Sequence, residues 1–474
     1  MIFFNKNSIL ILGFFFSFIS CDTIKKNKNT TSKKPNIVFI LVDDMGWNDT
    51  GFNGSLIYET PNLDNLANQG ITFTNAYAPA ANCAPSRACI MSGKNTPRHG
   101  VYTVGTSERG KSKTRKLVPT PNKMVLDSSF VTMAEALKKS GYTSASIGKW
   151  HLGNNPVIQG FDVGIADGLL RSRRLSYYSP YNNETLPDGE VGEHMPYRLT
   201  NEAIKFVTDN KDKPFFLYLP YFSVHAPLQG EKDLIEKYKD KIKGDNRFHA
   251  TFGAMVECMD TNIGRLLTTL DEFKLSENTI VIFLSDNGGI PAISSQFPLR
   301  AGKGAYYEGG IRVPCVIRWP KYIKEAKKTD MPITGLDVFP TLMDIVNDNT
   351  DYNLDGNSIL PLLKDGNEIA ERALFWHFPI YLEGGRPESA QFRDPLFRTR
   401  PGSVIRKGKW KLHEYFENNE FELYDLENDI REQYDHSKEN PEKVKELYQE
   451  LKEWRQKVHA SVPTELNKDY VSTK

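Results

Sequence analysis

A chain of 474 residues is long enough for one large domain with a smaller unit appended. Lys and Arg total 60 against 59 Asp and Glu, a net charge of +1, and the apolar (39%) and charged (25%) fractions are ordinary for a soluble protein. That balance gives no reason to propose nucleic acid or a bulk acidic partner, so any anion recognition has to be local.

Lys6 precedes an apolar run from Ile9 to Ile19, too short to span a bilayer and of the length of a signal-peptide core. Ser20-Cys21 closes it in the manner of a bacterial lipoprotein box, with Phe18 where Leu is usual; lipidation of Cys21 and plain cleavage both fit. Residues 1–21 are read as a lipoprotein-type signal peptide. Residues 22–34, lysine-rich with nothing to bury, are read as a flexible tether. The expectation is an exported bacterial protein, periplasmic or anchored at the cell surface, touching membrane only through lipid on Cys21.

From Asn36 to about Asn347 strands alternate with helices. Ile37 to Val42 is apolar without alternation, the pattern of a strand covered on both faces. Thr60-Pro61 opens a helix, and Thr143–Ile147, Phe215–Leu219, Thr279–Leu284 and Val313–Ile317 are further strands. Met255, Met259, Ile263, Leu266 and Leu270 recur at helical spacing. This predicts an α/β sandwich over 35–350, a mostly parallel mixed central sheet flanked by helices. Beyond Asp351, Val404–Leu412 reads as a hairpin turning at Lys407-Gly408, Phe421–Leu426 as an alternating strand and Pro441–His459 as an amphipathic helix. Residues 351–474 are therefore expected to form a smaller C-terminal α+β subdomain with an antiparallel sheet.

In such sheets ligands gather beyond the carboxyl ends of the strands. Asp43-Asp44 end the first strand, Gly148-Lys149-Trp150-His151 another and Ser285-Asp286-Asn287-Gly288-Gly289 a third, while His225 follows the Phe215 strand. Asp43, Asp44, Asp286 and Asn287 offer oxygen donors only, which suits Ca²⁺ or Mg²⁺ rather than Zn²⁺; taken alone, strand-end acids also serve as helix caps. Apart from Cys21, the cysteines are Cys83, Cys89, Cys258 and Cys315, too few for a disulfide scaffold. Cys258 and Cys315 fall in apolar patterns and read as small buried hydrophobes. Cys83 lies in a loop before a helix predicted from Arg87 to about Ser92 and capped by Ser86, near the partial positive charge of a helix N-terminus. A buried thiol and a thiolate nucleophile are both open for it from its surroundings alone.

Cys83-Ala84-Pro85-Ser86-Arg87 resembles the signature of the formylglycine-dependent sulfatases, an arylsulfatase-like family of the alkaline phosphatase superfamily. Pro35-Asn36-Ile37 leading to Asp43-Asp44, the Gly148–Gly153 block, Ser285–Gly289, Arg300-Ala301-Gly302-Lys303-Gly304, Tyr307–Pro314 and Arg406–Lys411 resemble it as well, in order, from Pro35 to about Asp435. The resemblance implies that Cys83 is matured to formylglycine (3-oxoalanine) by a formylglycine-generating or anaerobic sulfatase-maturating enzyme. It implies a calcium ion, or magnesium, held by Asp43, Asp44, Asp286, Asn287 and the residue at 83. In that scheme one hydroxyl of the hydrated aldehyde attacks sulfur with help from Asp286, and the other lets sulfate leave by elimination. Arg87 would hold the formylglycine and the carboxylates, Lys149 and Lys303 would neutralise sulfate oxygens, and His225, with Lys303, would protonate the leaving oxygen. His151 would take the proton during elimination.

His99 and His377, the latter in Phe375-Trp376-His377-Phe378-Pro379, match positions that line the substrate pocket in the family; a packed aromatic cluster is the other reading of the latter. Arg109, Lys111, Lys113, Arg115 and Lys116 crowd one loop, and Arg171, Arg173 and Arg174 precede Tyr177-Tyr178, so two basic segments stand ready as a rim for an anionic glycan or as solvated surface. The substrate this suggests is a sulfated carbohydrate, oligosaccharides of an algal polysaccharide such as ulvan. The alternatives are a phosphonate or phosphate monoester hydrolase of the same superfamily and a lipoprotein that binds sulfated glycans without cleaving them.

Overall fold

Asn36–Val42 forms β1, buried at every position. Successive side chains of a strand point to opposite faces, and both faces here are covered: Ile37, Phe39 and Leu41 enter one apolar cluster, Val38, Ile40 and Val42 another. The computed structural model describes residues 34–153, 155–166, 176–245, 247–384 and 391–472. The signal segment with Cys21, the tether up to Lys33, and Arg171, Arg173 and Arg174 lie outside the described residues.

The strands that follow are β2 (Ile71–Phe73), β3 (Ala76–Tyr77), β4 (Thr143–Ile147), β5 (Val163–Ile165), β6 (Phe215–Pro220), β7 (Thr279–Ser285), β8 (Cys315–Arg318), β9 (Lys327–Thr329) and β10 (Ile333–Thr334). Eight strands make the central sheet, in the order β5-β4-β6-β1-β7-β8-β2-β9, and β3 pairs with β10 beside it. Strands β5, β4, β6, β1 and β7 run parallel; β8 is antiparallel to both β7 and β2. One face carries the helices Cys83–Ser92, Met133–Lys139 and Val338–Val346. The other carries Pro61–Ala67, Met195–Asn210, Lys232–Ile242 and Ala250–Glu272. This is the expected α/β sandwich. No helix among the described residues is long and apolar enough to cross a membrane.

C-terminal to it, β11 (Leu374–Phe378), β14 (Gly402–Lys407), β15 (Trp410–Tyr415) and β16 (Glu420–Asp425) form an antiparallel sheet, with a short ribbon of β12 (Leu382–Glu383) and β13 (Phe397–Thr399) alongside. The hairpin closes over Gly408 and Lys409, since Lys407 pairs with Trp410; Gly408 takes φ 55°. The turn thus sits one residue beyond its predicted place. Helix Pro441–Lys457 lays Leu447, Leu451 and Trp454 on Ile405, Leu412 and Leu423. On the other side Trp376, Phe378 and Val404 pack with Tyr77, Tyr102 and Ile311 of the large sandwich.

A buried ion cluster ties the two sheets. Lys411 Nζ lies 2.8 Å from Glu308 Oε1 and 2.9 Å from Glu432 Oε1, all three side chains wholly buried. Tyr77 of β3 donates to Glu308 Oε2 at 2.7 Å, and the Glu308 amide donates to Glu432 Oε2 at 2.6 Å. Burial, only partly offset by Lys411, and repulsion from Glu308 push Glu432 up to about 7. Removing one partner of such a cluster leaves a buried charge without compensation, which costs about 3–5 kcal/mol. Lys411→Met is therefore expected to lower the urea midpoint by a loss of that size at neutral pH, and by less at mildly acidic pH where the carboxyls take up protons. An unchanged midpoint would show that the cluster does not hold the sheets together.

Candidate active site

The site grows from the register of the central sheet. Val42 and Ser285 are partners on the adjacent parallel strands β1 and β7, so the residues that follow each strand emerge side by side. The Asp286 amide donates to the Val42 carbonyl at 3.0 Å, and the Asp44 amide to Asp286 Oδ1 at 3.2 Å. Asp44 sits at φ 65°, in the left-handed region that Asp tolerates better than most residues. Asp43 exchanges backbone hydrogen bonds of 2.9 Å with Ser223 and Val224, which brings the loop after β6, and His225 with it, to the same end of the sheet.

Three carboxylates converge there. Asp43, Asp44 and Asp286 are buried, each with an oxygen within 4.8 Å of the others. Five of the residues predicted for catalysis surround them. Arg87 Nε and Nη2 both lie 2.8 Å from Asp286 Oδ2, with Nη2 3.7 Å from Asp43 Oδ1. Lys149 pairs with Asp43 Oδ2, and Lys303 Nζ lies 2.6 and 2.7 Å from the two oxygens of Asp44. His225 Nε2 stands 3.7 Å from Asp44 Oδ2. His151 is held neutral, well below its ordinary pKa, by burial and by Lys149 and Arg87.

The charges do not cancel evenly. Burial alone would raise every carboxyl. Lys149, His225, Arg87 and Lys303 overcome it at Asp43, and Lys303 and His225 at Asp44, so both are lowered. Asp286 is instead pushed well above the usual range by burial and by Asp43, in spite of Arg87. The cluster thus has room for further positive charge. Asp43 Oδ1 and Asn287 Oδ1 are both buried without a hydrogen-bond partner, an expensive state for polar atoms. An all-oxygen set with two unspent acceptors fits a hard divalent cation such as Ca²⁺ or Mg²⁺.

Cys83 is the first residue of helix Cys83–Ser92, all ten residues of which are buried. The predicted start at Arg87 is four residues late. Pro85 falls in the first turn, where a missing N–H costs nothing, and Asn82, not Ser86, precedes the helix. The spacing from Cys83 to Arg87 is one helical turn, so both side chains leave the same face. Cys83 interacts electrostatically with Asp286, Arg87 and Lys303.

Backbone contacts deliver the two lysines. Gly148 has φ 128°, and a Cβ there would lie 2.0 Å from the Pro220 carbonyl; that close approach lets the Lys149 amide bond the same carbonyl at 2.8 Å. The Lys303 amide donates to Gly289 and the Gly304 amide to Ala81, both at 2.8 Å, lacing the Arg300–Gly304 loop to the Asp286 turn and to the approach to Cys83. Two residues named in the sequence only as parts of longer stretches turn out to brace the site. Ser285 Oγ accepts from the Met45 amide at 3.1 Å and donates to the Asn287 carbonyl at 2.9 Å, bracing both strand ends. The Tyr177 hydroxyl donates to the carbonyls of Phe222 and His225 at 2.7 and 2.9 Å, fixing the histidine loop. Tyr177 was legible only as part of an aromatic pair.

Comparison with known proteins places the chain in a family. The Sulfatase family matches residues 35–348, and the N-sulphoglucosamine sulphohydrolase C-terminal family matches residues 302–460. The chain is 32% identical to a sulfatase of Formosa agariphila, covering 88% of this chain and 87% of that one, and 30% identical to the N-acetylgalactosamine-6-sulfatase of Mus musculus, covering 72% and 68%. Among solved structures, Ps i-CgsB in complex with k-i-k-neocarrahexaose aligns with TM-score 0.74 and 28% identity over 92% of this chain and 95% of that one. The chain belongs to the sulfatase family. It is a sulfuric ester hydrolase.

Two predicted substrate ligands are not brought to the cluster. His99 is wholly buried, its Nδ1 accepting from the Val101 amide at 3.1 Å and its Nε2 3.3 Å from Cys89 Sγ. His377 is 1% exposed, with Nδ1 2.8 Å from Ser403 Oγ and Nε2 2.9 Å from the Ser461 carbonyl. With both nitrogens of each ring spent inside the protein, neither has a donor or acceptor for a sugar, and His377 belongs to the packed aromatic cluster. The basic loop is largely spent as well: Arg109 pairs with Glu383 at 3.1 Å, Arg115 with the Gly110 carbonyl at 2.6 Å and Lys116 with the Glu417 carbonyl at 2.7 Å, while Lys111 and Lys113 are exposed.

Burial holds His99 and His377 down to about 3 from the ordinary 6.5. A depressed pKa means that the unfolded chain binds more protons at intermediate pH, so the stabilisation is complete above 6.5 and is lost as pH falls toward 3. Unfolding free energy is expected to drop across that window, and His377→Gln to flatten the drop; an unaltered slope in the variant would exclude His377 as a source.

Proposed function

We propose that this sulfatase removes sulfate from a sulfated carbohydrate, oligosaccharides of an algal polysaccharide such as ulvan, with formylglycine derived from Cys83 and a calcium ion (magnesium as the alternative) held by Asp43, Asp44, Asp286 and Asn287. The observation that carries this reading is Cys83 at the head of a buried helix, close enough to Asp286, Arg87 and Lys303 to feel their charges, beside a cluster of three carboxylates at one end of the sheet. The carbohydrate is supported by the neocarrahexaose bound to the structural relative Ps i-CgsB and by the sugar sulfate in the name of the mouse enzyme. Export, to the periplasm or as a lipoprotein through Cys21, and maturation by a separate enzyme belong to the same reading.

The hydrated aldehyde would supply two hydroxyls, one to displace the alcohol at sulfur and one to release sulfate by elimination, and the cation would supply charge for the oxygens involved. The rest falls to the side chains. Arg87, wholly buried, fixes Asp286 and Asp43. Lys149 and Lys303 carry the charge that balances sulfate oxygens. His225 is positioned as the acid: its Nδ1 is 2.5 Å from the Ala226 carbonyl, which accepts only, so Nδ1 keeps its proton and Nε2 is the atom that gives one to the leaving oxygen. Its side chain is 27% exposed, open enough to meet a sugar. His151, neutral and with Nδ1 lacking a partner, is the base for elimination.

Protein made together with a maturation enzyme is expected to show the thiol-to-aldehyde mass change on the peptide carrying residue 83 and to desulfate defined oligosaccharides. Cys83→Ala should do neither, and faster turnover of phosphonate than of sulfate esters would replace this reading by its superfamily rival. His225→Ala is expected to lower kcat/KM on a carbohydrate sulfate by about 10²–10⁴-fold and far less on an activated aryl sulfate, whose phenolate leaves without a proton. Equal losses on both would remove His225 from the acid role.

A further inference from the structure

A second cluster of metal-ligating side chains lies apart from the carboxylates. His194 directly precedes helix Met195–Asn210, Glu231 directly precedes helix Lys232–Ile242, and Cys258 lies within helix Ala250–Glu272. A nitrogen of His194, the sulfur of Cys258 and a carboxylate oxygen of Glu231 fall within 4.8 Å of one another. His194 Nδ1 is 3.3 Å from Cys258 Sγ.

The tautomer decides what this contact is. His194 Nε2 lies 3.1 Å from the Gln229 carbonyl, an oxygen that can only accept, so Nε2 carries the proton. Burial keeps the ring neutral, down to about 4. The Nδ1 lone pair is therefore aimed at Cys258 Sγ. A histidine whose outer N–H is anchored on a carbonyl while its other nitrogen faces a thiol is oriented as a metal ligand is. Burial and the Glu231 carboxylate push the Cys258 thiol well up, so a cation has to displace its proton; the Asn262 amide, 3.7 Å from the sulfur, supplies one donor to it, and the Tyr178 ring stacks on the imidazole with centroids 4.6 Å apart.

We propose that His194 Nδ1, Cys258 Sγ and a Glu231 carboxylate oxygen form a zinc site that fastens two helix starts to the long helix Ala250–Glu272. Sulfur, nitrogen and oxygen together select a borderline-soft ion over calcium. In a tetrahedral site the ligand atoms lie about 3.3–3.8 Å apart. The nitrogen and sulfur already meet that spacing, and the half-buried Glu231 oxygen, within 4.8 Å of both, has at most about 1 Å to close. Its exposure leaves the fourth position to water. On binding, the Cys258 thiol gives its proton to solvent and the sulfur pair forms the bond to zinc, so affinity rises with pH. Through Gln229, whose side chain accepts from the Tyr177 amide at 2.7 Å, the site also steadies the tyrosine that holds the His225 loop.

The test uses the full chain, stripped by chelator, resupplied with excess Ca²⁺ and titrated with Co²⁺ as the spectroscopic stand-in for zinc. One equivalent should produce a sulfur-to-cobalt charge-transfer band that Zn²⁺ displaces. The band should persist in Cys83→Ser, vanish in Cys258→Ser and need at least about tenfold more metal in His194→Ala. Absence of the band in the parent chain, or its loss in Cys83→Ser with survival in Cys258→Ser, overturns the proposal and leaves a His–Cys hydrogen bond. Should Cys258→Ser fail to fold, Glu231→Gln at the half-exposed edge decides: weaker Co²⁺ binding supports the site, unchanged binding overturns it.

Discussion

Two adjacent parallel strands that end in register on acidic residues force three carboxylates together, and most of the site is an answer to that repulsion. β1 and β7 cannot separate without breaking the centre of the sheet, so Asp43, Asp44 and Asp286 stay where the register sets them. Positive charge has to come to them instead. It arrives from other parts of the chain: Arg87 from a helix on one face, Lys149 from the end of β4, His225 from beyond β6 and Lys303 from the loop before β8.

This arrangement leaves the charge at the cluster unevenly balanced. Two carboxyls are well matched by cations and one is over-supplied with negative neighbours, a balance suited to an additional cation together with a substrate that carries its own anionic charge. A rigid frame matters because such electrostatics depends on distance; the buried helix of Cys83 and the glycine at 148, with no room for a side chain, keep the groups from relaxing apart.

The sandwich was legible because its signals are local. The unbroken apolar run of β1 and the helical spacing of Met255 to Leu270 depend only on neighbours in sequence, and strand ends announce themselves by acids and glycines. The start of the helix at Cys83 was missed because Pro85 and Ser86 read as a boundary, although a first turn tolerates both. The surroundings of His99 and His377 were hidden for a different reason. A histidine in an aromatic stretch gives no sign of whether its nitrogens face a cleft or the protein, and here Val101, Cys89, Ser403 and Ser461 claim them. The Glu308–Lys411–Glu432 cluster was unreadable on principle, since its members meet only after both sheets have packed.

The burial of helix Cys83–Ser92 has a consequence for the order of events in the life of the chain. Its first residue is 2% exposed and the nine that follow are closed in by the sandwich. Another protein cannot wrap a segment in that position without first dismantling the core around it. Any enzyme that acts on the Cys83 side chain must therefore meet this stretch before the sandwich closes around it, and the closing of the fold sets a deadline.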